Sequence, residues 1–411
     1  MMNLIADAAI IGGGPVGLYT TYLLSKRGYG CILLEKKFNI GLPLKCAGLV
    51  NPRVFELEGL GQLRDSTFPQ PIRGADVYSP SHGPLEIRGK SEKAVSIDRH
   101  LFERSLMELV HCESGDFRLG SVLCSISEKA GGGWHLTARG MTGNIGIDTK
   151  MVIACDGASS SIRNIIGSEY PQDFLSGVSS EGVVKNACPE SDIVGVFLGS
   201  KISKGLFGWV IPTQRDGYVK IGLASKGEGN IHERFRTLLS DAGFRDFLGI
   251  DNKATMYIPV SYTVNPIPIG LPTIPDRSGM IFLGDSVGMP KATSGGGILP
   301  GLESAISLMR YLSELDEISD LRTEDFYLYW KKNEGKELVK SGYIRDMINS
   351  LTDVELDKYV EALSDPDLLE LINEKGDIDR PVELAARLLR HRPSLITLVP
   401  RFIPKIMRII R

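Results

Sequence analysis

The sequence predicts an α/β fold, α+β overall. It comprises a three-layer Rossmann-like dinucleotide-binding domain, an inserted mixed or antiparallel β-sheet domain, and a helical C-terminal region. Three observations predict it. The run IADAAIIGGGPVGL at 5–18 reads as a buried strand, a glycine turn and the start of a helix. The runs VIACDGASSSIRNIIG from 152 and MIFLGDSVG from 280 each repeat a buried strand running into glycine. Between and after them the pattern changes, to short strands over about 174–270 and to helical periodicity from 322 onwards.

The first helix is expected over 16–27, with Val16, Leu18, Tyr19, Tyr22, Leu23 and Leu24 as its apolar positions, and Gly28 and Gly30 at its exit. CILLE at 31–35 is a second strand, which completes half of a doubly wound unit. Residues 36–74 are loop-rich and 75–97 read as strands with turn breaks. SIDRHLFERSLMELVHC at 96–112 carries Leu101, Leu106, Leu109 and Val110 on a helical stripe. Strands fill 117–153, and one helix is expected near 231–247. A further helix follows Pro300-Gly301, and DIDRPVE breaks the helical C-terminal region.

Composition narrows the function classes. With 47 Lys+Arg against 50 Asp+Glu, a nucleic-acid binder acting through bulk charge is excluded, so no nucleic-acid partner is expected. No uncharged apolar stretch is long enough to span a bilayer, and the N-terminus lacks signal-peptide features. The 6 cysteines form no CxxC and imply neither a disulfide framework nor a zinc site, so a reducing cytosol is the expected compartment and no metal is expected.

Gly12-x-Gly14-x-x-Gly17, followed by Glu35 18 residues later, carries the first chemistry. The first glycine permits the tight turn, the second lets a pyrophosphate approach the backbone, and the third lets helix and strand pack closely. The helix N-terminus, opening at Pro15, faces the phosphate charge. Glu35 is placed to accept hydrogen bonds from an adenosine ribose. This pattern identifies a dinucleotide and leaves FAD and NAD open. Gly284-Asp285 ends a buried strand, where ligands gather in such sheets. The triple glycine Gly295, Gly296 and Gly297, followed by Ile298, presents backbone with almost no side-chain volume to a flat ring.

These motifs, taken together, resemble the para-hydroxybenzoate hydroxylase-like flavoprotein superfamily over about residues 5–310, and within it the geranylgeranyl reductase family. The carriers are the glycine turn, CDGASSSIR with Asp156, Gly157, Ser161 and Arg163, and FLGDSVGMPKATSGGGILPGLESA. The resemblance implies FAD as cofactor. It implies that Asp285 meets the ribityl or pyrophosphate region, that 294–301 lies against the isoalloxazine, and that Arg99 approaches from the next helix. It divides the chain into an FAD-binding domain (1–75, 95–170 and 275–320), a substrate-binding sheet domain (76–94 and 171–274) and a helical region (321–411). PLKCAGLV places Lys45 and Cys46 near the cofactor, as a family cysteine would be. GLFGWVIP matches the family's aromatic segment, with Phe207, Trp209, Ile211 and Pro212 as substrate-binding positions. Phe207 and Ile211 replace the usual Tyr and Phe.

The implied activity is FAD-dependent saturation of isoprenoid C=C bonds in geranylgeranyl lipids, with digeranylgeranylglycerophospholipid of archaeal membrane lipid synthesis as the leading substrate. A flavin monooxygenase or halogenase-like enzyme, and a non-catalytic flavin-containing membrane-associated binding protein, are the alternatives. An isolated alkene needs a proton donor as hydride arrives, and Cys46 is the candidate catalytic residue, against a reading as a packed thiol. Phe197, Leu206, Phe207, Trp209, Ile211 and Ile221 are candidate walls of an apolar tunnel, each also readable as ordinary core, with Tyr218, Tyr257 and Tyr262 as further candidate lining. No second dinucleotide motif follows, so the electron donor is NAD(P)H, ferredoxin or another reductant. From Leu384 to Arg411 there are seven Lys/Arg and no Asp or Glu, interspersed with apolar residues. That stretch reads either as a segment lying on an anionic membrane surface or as one docked on the body.

Overall fold

The computed structural model describes residues 2–43, 46–171, 173–184, 190–227, 229–250, 257–269, 274, 277–398 and 400–402. The chain opens with β1 (Met2–Ile11), α1 (Pro15–Lys26) and β2 (Cys31–Leu34), then β3 (Leu49–Val50), β4 (Gln70–Ile72), β5 (Gly74–Tyr78), β6 (Leu85–Arg88) and β7 (Ala94–Ser96). After α2 (Arg99–Cys112) come β8 (Asp116–Arg118), β9 (Val122–Glu128), β10 (Trp134–Gly140), β11 (Gly143–Ala154) and α3 (Ser161–Ile166). There follow β12 (Phe174–Val184), β13 (Ile193–Phe197), β14 (Gly208–Pro212), β15 (Tyr218–Ser225), α4 (Ile231–Ser240), α5 (Ala242–Phe247), β16 (Tyr257–Pro268) and β17 (Met280–Phe282). The chain closes with α6 (Ile298–Leu312), α7 (Thr323–Asn333), α8 (Gly335–Asn349), α9 (Asp353–Leu363), α10 (Pro366–Lys375) and α11 (Pro381–His391).

The first sheet runs β8-β2-β1-β11-β10-β9, with β17 beside the end of β11. β1 pairs in parallel with both β2 and β11, and the last three residues of β11 pair in parallel with β17. The first half of β11 instead pairs antiparallel with β10. The run Ala8–Ile11 is buried on both faces, as a central parallel strand requires, because α1 covers one side. The consequence for the site is directional: β1, β2, β11 and β17 all end at one edge of the sheet, and their following loops meet there.

The second sheet runs β16-β12-β15-β14-β13-β5-β6 and is antiparallel apart from the β5–β13 pair. Its strands sort by period two. Phe197, Val210, Ile221 and Leu223 point to one face and pack with Phe235, Leu238 and Phe244 of α4 and α5. Val194, Val196, Trp209 and Ile211 point to the other. A small sheet of β3, β7 and β4 and the helices α7–α11 complete an α+β architecture with an inserted mixed sheet and a helical C-terminal bundle.

Two expectations change. The helix near 231–247 is two helices, because Asp241 adopts extended backbone and its carboxylate accepts from Gly243 N at 2.9 Å and Phe244 N at 3.3 Å, capping α5. α6 starts at Ile298, ahead of Pro300, which sits in the first turn where a missing N–H costs nothing.

Among the described residues no helix is long and apolar enough to cross a membrane. The described part of the basic stretch is docked. Arg387 pairs with Glu383, Arg392 with Asp365 and Arg401 with Glu355, while Phe402 is buried among Met347, Leu351 and Tyr359. Lys405, Arg408 and Arg411 lie outside the described residues.

The three-residue strand β17 depends on α7. Tyr327 Oη accepts from Phe282 N at 3.0 Å and donates to Phe282 O at 2.7 Å, in a buried site. Tyr327→Phe orphans both backbone groups. We expect a loss of about 1–3 kcal/mol in urea unfolding, with no change at the C-terminal end of the chain.

Candidate functional site

The site is built from backbone that side chains would obstruct. Gly12 has φ +107, and a Cβ there would stand 2.4 Å from Cys155 O. A Cβ on Gly17 would stand 1.9 Å from Gly12 O. These two glycines let β1, α1 and β11 close on one another. Gly14 differs: nothing lies within 4 Å of its added Cβ, and it borders open space. α1 starts there with no side-chain cap and no acidic residue in its first turn, so its positive end is left for a ligand. Glu35 is tied back to this turn, its carboxylate accepting from Gly13 N at 2.6 Å and Lys37 N at 2.8 Å.

Two further loops reach the same place. After β11, the Asp156 carboxylate accepts from Ser161 Oγ at 2.9 Å and Ile162 N at 3.1 Å. Its other oxygen is buried with no hydrogen-bond partner among the described residues. Arg163, fully buried, donates from Nε to Ser286 O at 2.7 Å and so fastens this loop to the one after β17. In that last loop Gly284 has φ +65 and lies against Val16, and a Cβ on Gly301 would stand 2.5 Å from Val16 Cγ2. The starts of α1 and α6 therefore press together. α6 is also uncapped and lacks an acidic residue in its first turn.

These elements border one cavity of about 740 Å³. From the first sheet it takes Gly12, Gly14, Pro15, Glu35, Asp156, Gly157, Asp285, Gly295, Gly296, Gly297 and Ile298, together with Cys46 and Arg99. From the second sheet it takes Ala75, Val194, Val196, Trp209 and Ile211, with Phe207 just before β14. Ile372 of α10, Asp377 and Ile378 of the following connection and Leu384 of α11 close it. Arg99 pairs with Glu103 along α2. Burial works against its charge, and the Glu103 carboxylate and the Cys46 sulfur beside it more than restore it, so the guanidinium stays protonated. Cys46 Sγ accepts from Gly48 N at 3.4 Å. Burial pushes the Asp285 carboxyl up, only partly offset by Arg99.

The FAD binding domain family matches residues 6–242. The chain belongs to this family. FAD is its cofactor, and a role in oxidation–reduction follows from that. The chain also matches archaeal proteins along most of its length. It is 28% identical over 378 residues to a protein of Methanothermobacter thermautotrophicus described as digeranylgeranylglycerophospholipid reductase 2, covering 88% of this chain and 92% of the relative. It is 27% identical over 391 residues to an uncharacterized protein of Methanocaldococcus jannaschii, covering 93% of this chain and 95% of the relative. Its fold is similar to a geranylgeranyl bacteriochlorophyll reductase-like protein of Thermoplasma acidophilum, with TM-score 0.80 and 19% identity, covering 98% of this chain and 100% of the other.

The donor set fits this cofactor: two uncapped helix starts for phosphate and ring carbonyl, one buried Asp156 oxygen with no hydrogen-bond partner among the described residues, and the Asp285 carboxyl on the cavity wall. Not every expected residue lines the cavity. Gly17 and Gly284 lie behind it, as close-packing positions. Pro212 is out of phase with Trp209 and Ile211 and does not reach it. Phe197 and Ile221 fall on the helix-covered face for the same reason, and Leu206 packs beside Phe207 in a small cluster. Tyr257 bonds Ser180, Tyr262 bonds His232 and Tyr218 stacks under Arg215, all away from the cavity. Lys45 lies outside the described residues. The sequence reading missed Lys291, Ile378 and Leu384. A lysine within a Gly-Asp to Gly-Gly-Gly stretch was a visible signal, whereas the return of α10 and α11 to the cavity had none.

Two outcomes follow. Gly14→Ala leaves the unfolding midpoint of the FAD-free protein unchanged but weakens FAD binding at least about tenfold, read by flavin fluorescence titration. Asp285 binds its proton more tightly folded than unfolded, so FAD-free stability falls as pH rises above the ordinary aspartate range. Asp285→Asn flattens that dependence in urea unfolding across pH.

Proposed function

We propose that this protein is an FAD-dependent reductase that saturates isoprenoid C=C bonds of geranylgeranyl lipids, with digeranylgeranylglycerophospholipid the leading substrate. One observation carries the reading. The glycine loop at 295–297 and the apolar face of Ala75, Val194, Val196, Trp209 and Ile211 border the same cavity. A lipid chain and a flat ring would therefore meet with little polar surface between them. The curated relative described as digeranylgeranylglycerophospholipid reductase 2 supports the substrate class.

In this reading Gly12, Gly14 and Pro15 receive the pyrophosphate at the start of α1, with Gly17 behind them, and Glu35 takes the ribose hydroxyls. Asp156, Gly157 and Asp285 accept hydrogen bonds from cofactor hydroxyls. Gly295–Ile298 carries the ring at the start of α6, while Arg99 supplies positive charge from α2. Bound reduced FAD supplies the hydride. The chain's own part is to hold the alkene in a water-poor chamber and deliver a proton to the carbon that becomes cationic. Cys46 Sγ is the assigned donor, since it borders the cavity beside Arg99. Phe207, Trp209 and Ile211 hold the prenyl chain. The reductant that recharges the flavin is NAD(P)H, ferredoxin or another carrier, and the substrate is drawn from a membrane surface.

The test is anaerobic. Dithionite-reduced protein mixed with digeranylgeranyl lipid is expected to reoxidise its flavin with a mass gain of about 2 Da per bond, the mass of the hydride and proton added. No mass gain, with hydroxylated or halogenated product appearing only in air, overturns the reading in favour of a monooxygenase or halogenase. Cys46→Ala is expected to slow reoxidation by about 10²-fold, and unchanged turnover removes the thiol from the mechanism.

A further inference from the structure

Lys291 stands six residues after Asp285 and four before Gly295. Its backbone shapes the glycine loop: Lys291 N donates to Gly296 O at 3.1 Å, and Gly295 N donates to Lys291 O at 2.8 Å. Its side chain is 7% exposed and runs under that loop, with Cε 3.1 Å from where a Cβ on Gly296 would stand. The ammonium ends on a different part of the molecule. It donates to Ile378 O at 3.2 Å and pairs with Asp379, itself buried, in the connection between α10 and α11.

That connection is also held from its far side. The Asp377 carboxylate accepts from Asn51 Nδ2 at 3.0 Å and from Asp379 N at 2.8 Å, with the Arg53 guanidinium 3.6 Å away. Asp377 and Ile378 border the cavity. Thus one buried lysine, its amine pushed down to about 7 by burial and partly held up by the Asp377 carboxylate, joins the wall proposed to carry the flavin ring to the segment that roofs the prenyl chamber. Among the described residues both partners of the ammonium come from the roof. If the roof lifted, the Lys291 amine would lose both its partners beneath the glycine loop and Asp379 would keep only Arg53, 4.0 Å away, a costly state in a dry site. Loop and roof are therefore expected to keep or lose their order together.

We infer that Lys291 is a positioning residue whose ion pair with Asp379 couples seating of the FAD ring on Gly295–Gly297 to closure of residues 376–380 over the substrate chamber. This rests on the ring position proposed above. By reciprocity, FAD binding must then protect the roof.

The test is hydrogen exchange of residues 372–384 in the full chain, with and without FAD, alongside flavin absorbance to follow binding. In the natural protein FAD is expected to slow exchange there about tenfold or more. Lys291→Met and Asp379→Asn are each expected to abolish that slowing while FAD still binds, and the double variant to lose no more than either alone. Asp379→Asn keeps the side chain's shape and carries the test if the Met variant fails to fold. Retained slowing in the variants overturns the tie. Absent slowing in the natural protein with FAD bound overturns the coupling. Failure of the natural protein to bind FAD removes the proposed ring position, and the coupling falls with it.

Discussion

Two helices that begin without caps, pressed against each other through Val16, are the constraint on which this molecule is organised. Helix starts repel one another, because each carries several unsatisfied N–H groups and the positive end of a dipole. Placing α1 and α6 together is favourable only if something negative or strongly polar fills the space before them. The glycines at 284 and 301 make the approach sterically possible, since each abuts Val16 with no side chain between. FAD, the cofactor of this family, carries a diphosphate and a ring whose carbonyls gain charge on reduction, and in the function proposed above it fills that space.

The second sheet does a different job with simpler means. Alternation along β13 and β14 sends every other residue toward α4 and α5 and the rest to the cavity, while β15 adds Val219, Ile221 and Leu223 to the helix-covered face. One face is ordinary core, and the other is a pocket wall of the same aliphatic character. The wall is completed from the C-terminal helices, which contribute Ile372, Ile378 and Leu384. The chamber is thus assembled from strands laid down early and helices laid down late.

Most of the first sheet was legible because its signals are local. A buried strand followed by glycine reports its own turn, and Glu35 at the end of β2 falls where the turn can reach it. The resemblance to geranylgeranyl reductases placed Asp285 and the triple glycine beside one another, and the cavity contains both. What was not legible depended on phase or on distance along the chain. GLFGWVIP announces an apolar strand, but nothing in it says that Trp209 and Ile211 face the cavity while Pro212 does not. For the same reason nothing in the sequence decided between the tunnel and the core readings of Phe197 and Ile221, which the structure places in the core. The two-helix break at Asp241 was written in a single capping carboxylate, easily absorbed into one longer helix. The segment DIDRPVE reads as a charged break in the helical region. Its burial against Lys291 exists only once 85 or so intervening residues have folded back, a long-range contact that local pattern does not encode.

The order of the strands has a consequence for how the protein is made. β17 is the last strand to join the first sheet, and it brings Asp285 and the start of α6 with it. A nascent chain emerging from the ribosome can pair β1 with β11 well before that point, exposing the Gly12 and Asp156 loops with nothing opposite them. The cofactor side of the pocket is complete only when translation has passed residue 312, and its roof only after Leu384. Flavin capture is therefore a late step of biogenesis. Until then, the half-built sheet edge has to be shielded by other means.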